Sequence, residues 1–244
     1  MNKQLNPPSF RPLYDQIKVL ITQSLIAGEW KPGEAIPSEI ELAHRYKVSQ
    51  GTVRKAIDGL AAENIVVRRQ GKGTYVATHN EEASKLRFLR LTASNGKKEL
   101  LQHQLISCVR SKAQGEVARM LALKAGTSVI EVKRLLNFSD RSLILDHIIL
   151  PSGPFKGLGA ARIEENKGSM YSMYETQYGI RMVRAEERLK AIAADKSSAK
   201  ELGIAPGFPL LSIERVSYTY GDKPMEWRLG LCVTDDHHYV NELE

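Results

Sequence analysis

The sequence predicts an α+β chain in two parts, on three observations. Three short helix-like runs and a basic two-strand hairpin occupy the first 78 residues. The second part repeats one strand, helix, strand, strand pattern, with residues 117–136 echoed by 198–217. Its strand-like runs alternate apolar and polar residues, as half-buried strands of an antiparallel sheet require. The boundaries expected are 1–78 for the first domain, 79–104 for a linker that leads into the next, and 105–244 for the second domain.

Each element of the first part has a local reason. In PLYDQIKVLITQSLIAGEW, residues Leu13, Ile17, Leu20, Ile21 and Leu25 recur at helical spacing on one face, and Pro32-Gly33 ends the run. In IPSEIELAHRY, Ser38 is a natural N-cap with Glu41 three residues on, a capping box that turns Leu42 and Ala43 inward. Ser49 caps a third helix whose buried stripe is Val53, Ile57 and Leu60. Only YKVS separates the second and third helices, a tight turn. The strands NIVVRR and GTYVA follow, joined by QGKG. This order describes a winged helix-turn-helix.

The side chains fit that reading. A helix entering the major groove needs small or polar residues near its N-terminus, where it approaches base edges. Gln50, Gly51, Thr52, Arg54 and Lys55 meet the need. A wing needs backbone that can approach phosphate and cations to neutralise it; Gly71 and Gly73 supply the first, and Arg68, Arg69 and Lys72 the second. With the two capping serines and the wing threonine, the expected DNA-contacting set is Ser38, Ser49, Gln50, Gly51, Thr52, Arg54, Lys55, Arg69, Lys72, Gly73 and Thr74. Residues 1–78 carry eleven Lys and Arg against seven Asp and Glu, and the whole chain is +7. That surplus favours a polyanionic partner.

The segment 78–104 is polar and basic, with Lys85, Arg87, Arg90, Lys97 and Lys98 read as a solvated face. In the repeat, VARMLALKAGTSVIEVKRLL aligns with SAKELGIAPGFPLLSIERVS and places Arg134 opposite Arg215. Each copy has an alternating run before it (QLISCVRS, RAEERLKAIA) and another after it (SLILDHIIL, PMEWRLGLCV). One antiparallel sheet with helices on a face is expected. Alternation sends three charges inward: Arg134 with Ile130, Val132 and Leu136; Asp146 with Ile144, Ile148 and Leu150; Glu187 with Val183, Ala185, Leu189 and Ala191. A buried charge demands a partner. Either a structural ion pair, Arg134 with Asp146 or Glu187, or a bound ligand meets that demand.

Other features exclude function classes. The two cysteines, Cys108 and Cys232, lie in apolar runs without metal-ligand or redox spacing. DDHHY, residues 235–239, places adjacent histidines on opposite sides of a strand, so it reads as a surface segment, with a metal site as the lesser alternative. No nucleophile motif, Gly-rich phosphate loop or cofactor motif is present. The start lacks an apolar leader and no run is long enough to span a bilayer, so a cytoplasmic protein with no membrane partner and no cofactor is expected.

The order PLY, PGE, IPSE, VSQGTVRKA, ENIV and GKGTYV resembles the DNA-binding domain of GntR-family regulators over its full length. The resemblance implies bacterial transcription control, usually repression. Many members carry an Arg within the second helix and another after VS; here Ile40 and Gln50 stand there, so the family's common operator is not carried over. Gln50 suits adenine, where Arg would favour guanine. The second part, about residues 85–240, resembles the UTRA effector domain of the HutC branch, through its paired strands, MYETQYGIRMVRAEERL and GDKPMEW. That implies a chorismate-lyase-like fold, a homodimer and a small-molecule effector. The family's ligand contacts map to Arg134, Asp146, Ser169 and Glu226. RFLRL and DDHHY replace motifs of sugar-phosphate-binding relatives, so no sugar phosphate is implied. The alternative is an enzyme of lyase-like fold fused to a DNA-binding domain.

Overall fold

The structure is a computed structural model that describes residues 11–79, 90–97, 101–138, 141–166 and 169–241. Lys85, Arg87 and Lys98 of the basic segment lie outside the described residues. The chain divides into two compact units, Met1–Thr78 and His79–Glu244.

In the first unit, α1 (Leu13–Ile26) buries Ile17, Ile21 and Leu25, a narrow stripe at every fourth residue. Leu13 and Leu20, expected inside, are 51% and 41% exposed. Leu13 is the first helical residue, and Leu20 is rotated about 100° from Ile21, beyond the strip that the neighbouring helix covers. The capping box of α2 (Glu39–Tyr46) is present, and Leu42 is fully buried while Ala43 is half-buried. Lys47 takes a left-handed conformation that turns the chain into α3 (Gln50–Ala62), capped by the Ser49 hydroxyl. Val53, Ala56, Ile57 and Leu60 of α3 are buried against the other helices. Asn64, at φ 55°, reverses the chain into the wing; Asn tolerates that region better than most residues. The wing pairs β1 (Val66–Arg69) with β2 (Gly73–Val76). Gly71 and Gly73 sit at φ 69° and 106°, which the tight turn demands and a side chain would resist.

The second unit is built on a six-stranded antiparallel sheet. Its strands are β4 (Leu101–Lys112), β5 (Ser128–Phe138), β6 (Arg141–Pro151), β7 (Arg184–Ala193), β8 (Pro209–Thr219) and β9 (Lys223–Cys232), preceded in the chain by β3 (Leu91–Ala93). The order across the sheet is β4-β5-β6-β9-β8-β7. The two repeats therefore meet at β6 and β9 and run outward in mirrored sequence. Helix α4 (Gly115–Met120) follows β4, and its counterpart in the second copy, Lys196–Leu202, follows β7. Ala118 and Leu121 of the first copy pack with Val216 and Trp227 of the second. Ala199 and Leu202 of the second pack with Leu135 and Leu143 of the first. The segment between repeats adds two helices that the duplicated pattern does not contain, α5 (Ala160–Glu165) and α6 (Met170–Tyr178). These cover Ile130, Val132, Ile148 and Leu150, whose side chains alternate with Val129 and Ile149 and so occupy the opposite face. With α5 and α6 named, the helix Lys196–Leu202 is α7. Helices thus lie on both faces of the sheet, where the repeat alone pointed to one.

DDHHY is more than a surface segment: β10 (His237–Tyr239) pairs with β3, and His237 is buried edge-on to Phe138. No group of three or more potential metal ligands occurs among the described residues, and no helix among them is long and apolar enough to cross a membrane.

Candidate nucleic-acid interface and effector site

The N-terminal turn of α3 stands open. Gln50, Gly51, Arg54 and Lys55 are exposed and Thr52 half-exposed. The Ser49 hydroxyl accepts from the Thr52 backbone N–H at 3.2 Å, and the Ser38 hydroxyl accepts from Glu41 N–H at 3.3 Å while donating to its carboxylate at 2.7 Å. Both serines thus serve as caps at helix starts, where backbone N–H groups favour anions. In the wing, Arg69 stacks on Tyr75 with 4.4 Å to the ring centroid, and Lys72, Gly73 and Thr74 form the turn and its exit. Lys55 lies 4.2 Å over the Tyr14 ring.

Sequence reasoning missed a carboxylate behind this surface. Glu39 accepts from Arg54 Nε at 3.0 Å, Arg68 Nη1 at 3.0 Å and Gln50 Nε2 at 3.4 Å. Burial works to raise its carboxyl, but the bonds from Arg54 and Arg68 overcome this and hold it below the usual carboxylate range. Glu39 is therefore ionised at neutral pH.

In the second unit, strand register lines up the inward charges. Arg134 pairs across with Asp146, and Asp146 with Gly230. Two residues along β9, Arg228 pairs with Arg215, and Arg215 with Glu187. All project from one face, because register partners and alternate residues of a strand share a face. Arg134 donates to Asp146 Oδ2 from Nε and Nη2 at 3.1 and 2.9 Å, and Arg228 Nη1 reaches the same oxygen at 3.4 Å. Arg215 takes Glu187, with Nε to Oε1 at 2.6 Å, and Tyr239 donates to the other Glu187 oxygen. The ion pair left open by the sequence is thus Arg134 with Asp146, and Glu187 is held elsewhere.

Glu226 is fully buried and saturated with donors. Arg228 gives Nε and Nη2 at 3.1 and 3.0 Å, Tyr171 gives its hydroxyl at 2.8 Å and Tyr174 at 2.9 Å. The tyrosines come from one face of α6, three residues apart. Ser169 caps that helix, accepting from Ser172 N–H at 3.1 Å. Its hydroxyl supports the tyrosines from the helix end instead of joining the arginines. Burial tends to raise the Asp146 carboxyl, yet the guanidiniums of Arg228 and Arg134 hold it below its usual value. Burial and the Glu226 charge push the Tyr171 and Tyr174 hydroxyls up, so both stay protonated donors.

A cavity of about 30 Å³ opens beside this row, lined by Arg90, Asp146, Arg215, Arg228, Gly230 and Cys232. A larger cleft of about 410 Å³ shares Arg90 and is lined by Arg184, Glu187, Leu189, Tyr239 and Asn241. Arg215, Arg228, Tyr171, Tyr174 and Arg90 escaped the sequence-based site. The available signal was the repeat, which sets Arg215 in the place of Arg134; the tyrosines lie outside it and carried none. On the same helix, the two Glu175 oxygens accept from the His79 backbone N–H at 3.2 and 3.0 Å.

A winged helix-turn-helix with an open basic surface, followed by a duplicated α+β domain with buried charges around a cavity, defines the class of ligand-controlled DNA-binding regulators. Residues 13–76 match the bacterial regulatory proteins of the gntR family, and residues 97–238 match the UTRA domain. The chain belongs to the GntR family of transcriptional regulators, in its UTRA-bearing HutC branch. It is 30% identical over 237 residues to the "Uncharacterized HTH-type transcriptional regulator YurK" of Bacillus subtilis, covering 95% of each chain. It is 26% identical over 223 residues to the "Probable fructoselysine utilization operon transcriptional repressor" of Escherichia coli O157:H7, covering 89% of this chain and 88% of that one. A crystallised ligand-binding domain assigned to a GntR-family regulator of Bordetella bronchiseptica superposes with TM-score 0.63 at 40% identity, over 65% of this chain and 98% of that one. These relatives are regulators and repressors, so the chain is a transcriptional regulator and the enzyme alternative falls away.

Proposed function

We propose that the chain is a homodimeric cytoplasmic repressor whose hold on its operator is relieved by a small anionic metabolite bound in the second unit. The observation that carries this reading is the row of three arginines, Arg134 and Arg215 buried and Arg228 nearly so, set against Asp146, Glu187 and Glu226 beside a cavity. Arginine forks match a carboxylate or phosphate bidentately. The carboxylates among them suit hydroxyl or ammonium groups on the same ligand. A cavity of about 30 Å³ admits little more than a head group. The effector body then occupies the larger cleft, past the Glu187–Arg215 pair and Arg90. Relief by effector fits a repressor of a utilization operon, the role named for one relative.

The DNA-contacting set is Gln50, Gly51, Thr52, Arg54 and Lys55 of α3, the caps Ser38 and Ser49, and Arg69, Lys72, Gly73 and Thr74 of the wing. A dimer grips two half-sites only at the correct spacing of its two recognition helices. Helix α6 supplies a route from site to spacing, since it carries the two tyrosines on Glu226 and the carboxylate that ties His79, the residue following the DNA-binding unit. The ligand must bind the two states unequally to shift them. The test is a thermal-shift screen of small anionic metabolites, followed by operator gel shifts with each hit. A compound that raises the melting temperature of the parent but not of Arg215→Gln, and releases parent DNA, supports the reading. If compounds bind and release DNA equally in both proteins, the site lies elsewhere.

A further inference from the structure

We infer that Glu39 is a positioning residue that sets the base selectivity of this regulator, by holding Gln50, Arg54 and the base of the wing in one hydrogen-bonded frame. The inference rests on the reading that α3 and the wing contact DNA, and adds a residue that touches no base itself.

One carboxylate ties three segments. Glu39 is the first residue of α2; Gln50 and Arg54 lie on α3; Arg68 lies on β1. The Glu39 side chain is 14% exposed, against 60% for Arg54 and 43% for Arg68, so the anchor is inside and the cations outside. Glu39 Oε2 takes Arg54 through Nε. That leaves the two terminal nitrogens of Arg54, which have no partner among the described residues, to fork onto a phosphate or a guanine edge. Arg68 is held from both sides, by Glu39 Oε1 and by Asp58 Oδ1 at 2.7 Å, so it braces the wing and is not a free wing cation as its sequence position suggested. Gln50 gives one amide hydrogen to Glu39. This fixes which way its amide points and keeps the carbonyl and the second hydrogen for the adenine edge.

The same carboxylate opposes phosphate. A negative charge behind Arg54 and Arg68 offsets part of their attraction for any duplex, which matters most where no base contact compensates. Glu39 therefore lowers binding to unrelated DNA while orienting the groups that read the operator.

The experiment uses the full chain, a duplex selected from random sequence by the parent, and a scrambled duplex of equal composition, titrated at several salt concentrations. For Glu39→Gln we expect an operator-to-scrambled affinity ratio reduced about tenfold, with tighter binding to the scrambled duplex and a salt slope on it steeper by roughly one unit. Glu39→Asp restores the charge but retracts the carboxylate; it keeps the parental salt slope and still loses selectivity. Melting temperatures are measured on the same preparations, and Glu39→Asp, which retains the favourable helix-start charge, supplies the answer where Glu39→Gln fails to fold. Equal losses on both duplexes, tracking a lowered melting temperature, would make Glu39 a helix-stabilising residue only and overturn the inference. So would a parental ratio in both variants while Arg54→Ala weakens binding. If Arg54→Ala itself binds like the parent, the DNA surface has been misplaced, a failure distinct from that of Glu39.

Discussion

The two units use arginine in opposite ways. In the first, Arg54 and Arg68 reach solvent at 60% and 43% exposure, Arg54 tied to Glu39 and Arg68 to both Glu39 and Asp58. In the second, Arg134, Arg215 and Arg228 show 7%, 6% and 11% side-chain exposure and face the buried Asp146 and Glu226 and the half-buried Glu187. Exposed pairs are worth about 0–1 kcal/mol, because water and salt screen them. Their cations can therefore exchange partners for phosphate at small cost. Buried charges cannot be left alone, and removing one member of such a pair costs about 3–5 kcal/mol. A surface that must capture a polyanion is built from the cheap kind, and a site that must change state only for a matched ligand from the costly kind.

The largest effect expected is at Glu226. Glu226→Ala strands Arg228, Tyr171 and Tyr174, which share its carboxylate. We expect a loss of about 3–5 kcal/mol in the denaturant unfolding transition of the second unit. A loss below 1 kcal/mol would show that the buried network relaxes as easily as a surface pair and would erase the contrast.

Acid sharpens the same contrast. The folded Asp146 carboxyl is held below its ordinary value. Its contribution is fully present above the unfolded value, about pH 4, and is lost as pH falls through the lower, folded value. Asp146→Asn should therefore flatten the acid limb of the stability curve, followed by circular dichroism from pH 6 downward. An unchanged limb would assign acid lability to other carboxylates.

Smaller effects belong to the DNA surface. Arg54→Ala and Lys72→Ala should each weaken operator binding and reduce the salt slope by about one unit, with melting temperatures unchanged. Parental binding by both, across several salt levels, would remove α3 and the wing from the interface. The smallest effect is expected for Asp58→Asn. Asp58 pairs with Arg68 but is 59% exposed, so stability should shift by less than about 0.5 kcal/mol. A larger loss would show that the wing brace behaves as a buried pair.

Much of this architecture follows from local spacing. Ser38 with Glu41, Ser49 before Thr52, and Gly71 and Gly73 around the wing turn all act within a few residues, so their roles are readable in order. The duplication is readable as well, because apolar positions and the arginines Arg134 and Arg215 recur at the same spacing in both copies. Alternation also told which way Arg134 and Asp146 face; on the edge strand it misled, since Leu189 and Ala191, expected inside with Glu187, are exposed.

Their partners were another matter, since partners depend on which strands meet and in what register. Asp146 meets Arg228 because β6 pairs with β9 at the junction of the repeats, placing Asp146 opposite Gly230. The two copies then diverge: Arg134 finds Asp146 on an inner strand, while Arg215, with Arg228 opposite, turns to Glu187 on the edge strand. Tyr171 and Tyr174 join from a helix outside the repeat, and Glu39 gathers Gln50, Arg54 and Arg68 across 11 to 29 residues of chain. Helix caps, turns and facing are short-range consequences of backbone geometry and are written in the sequence. Charge pairing is long-range, because a one-residue slip in any strand would send every side chain to the other face, and only the assembled sheet chooses among the registers.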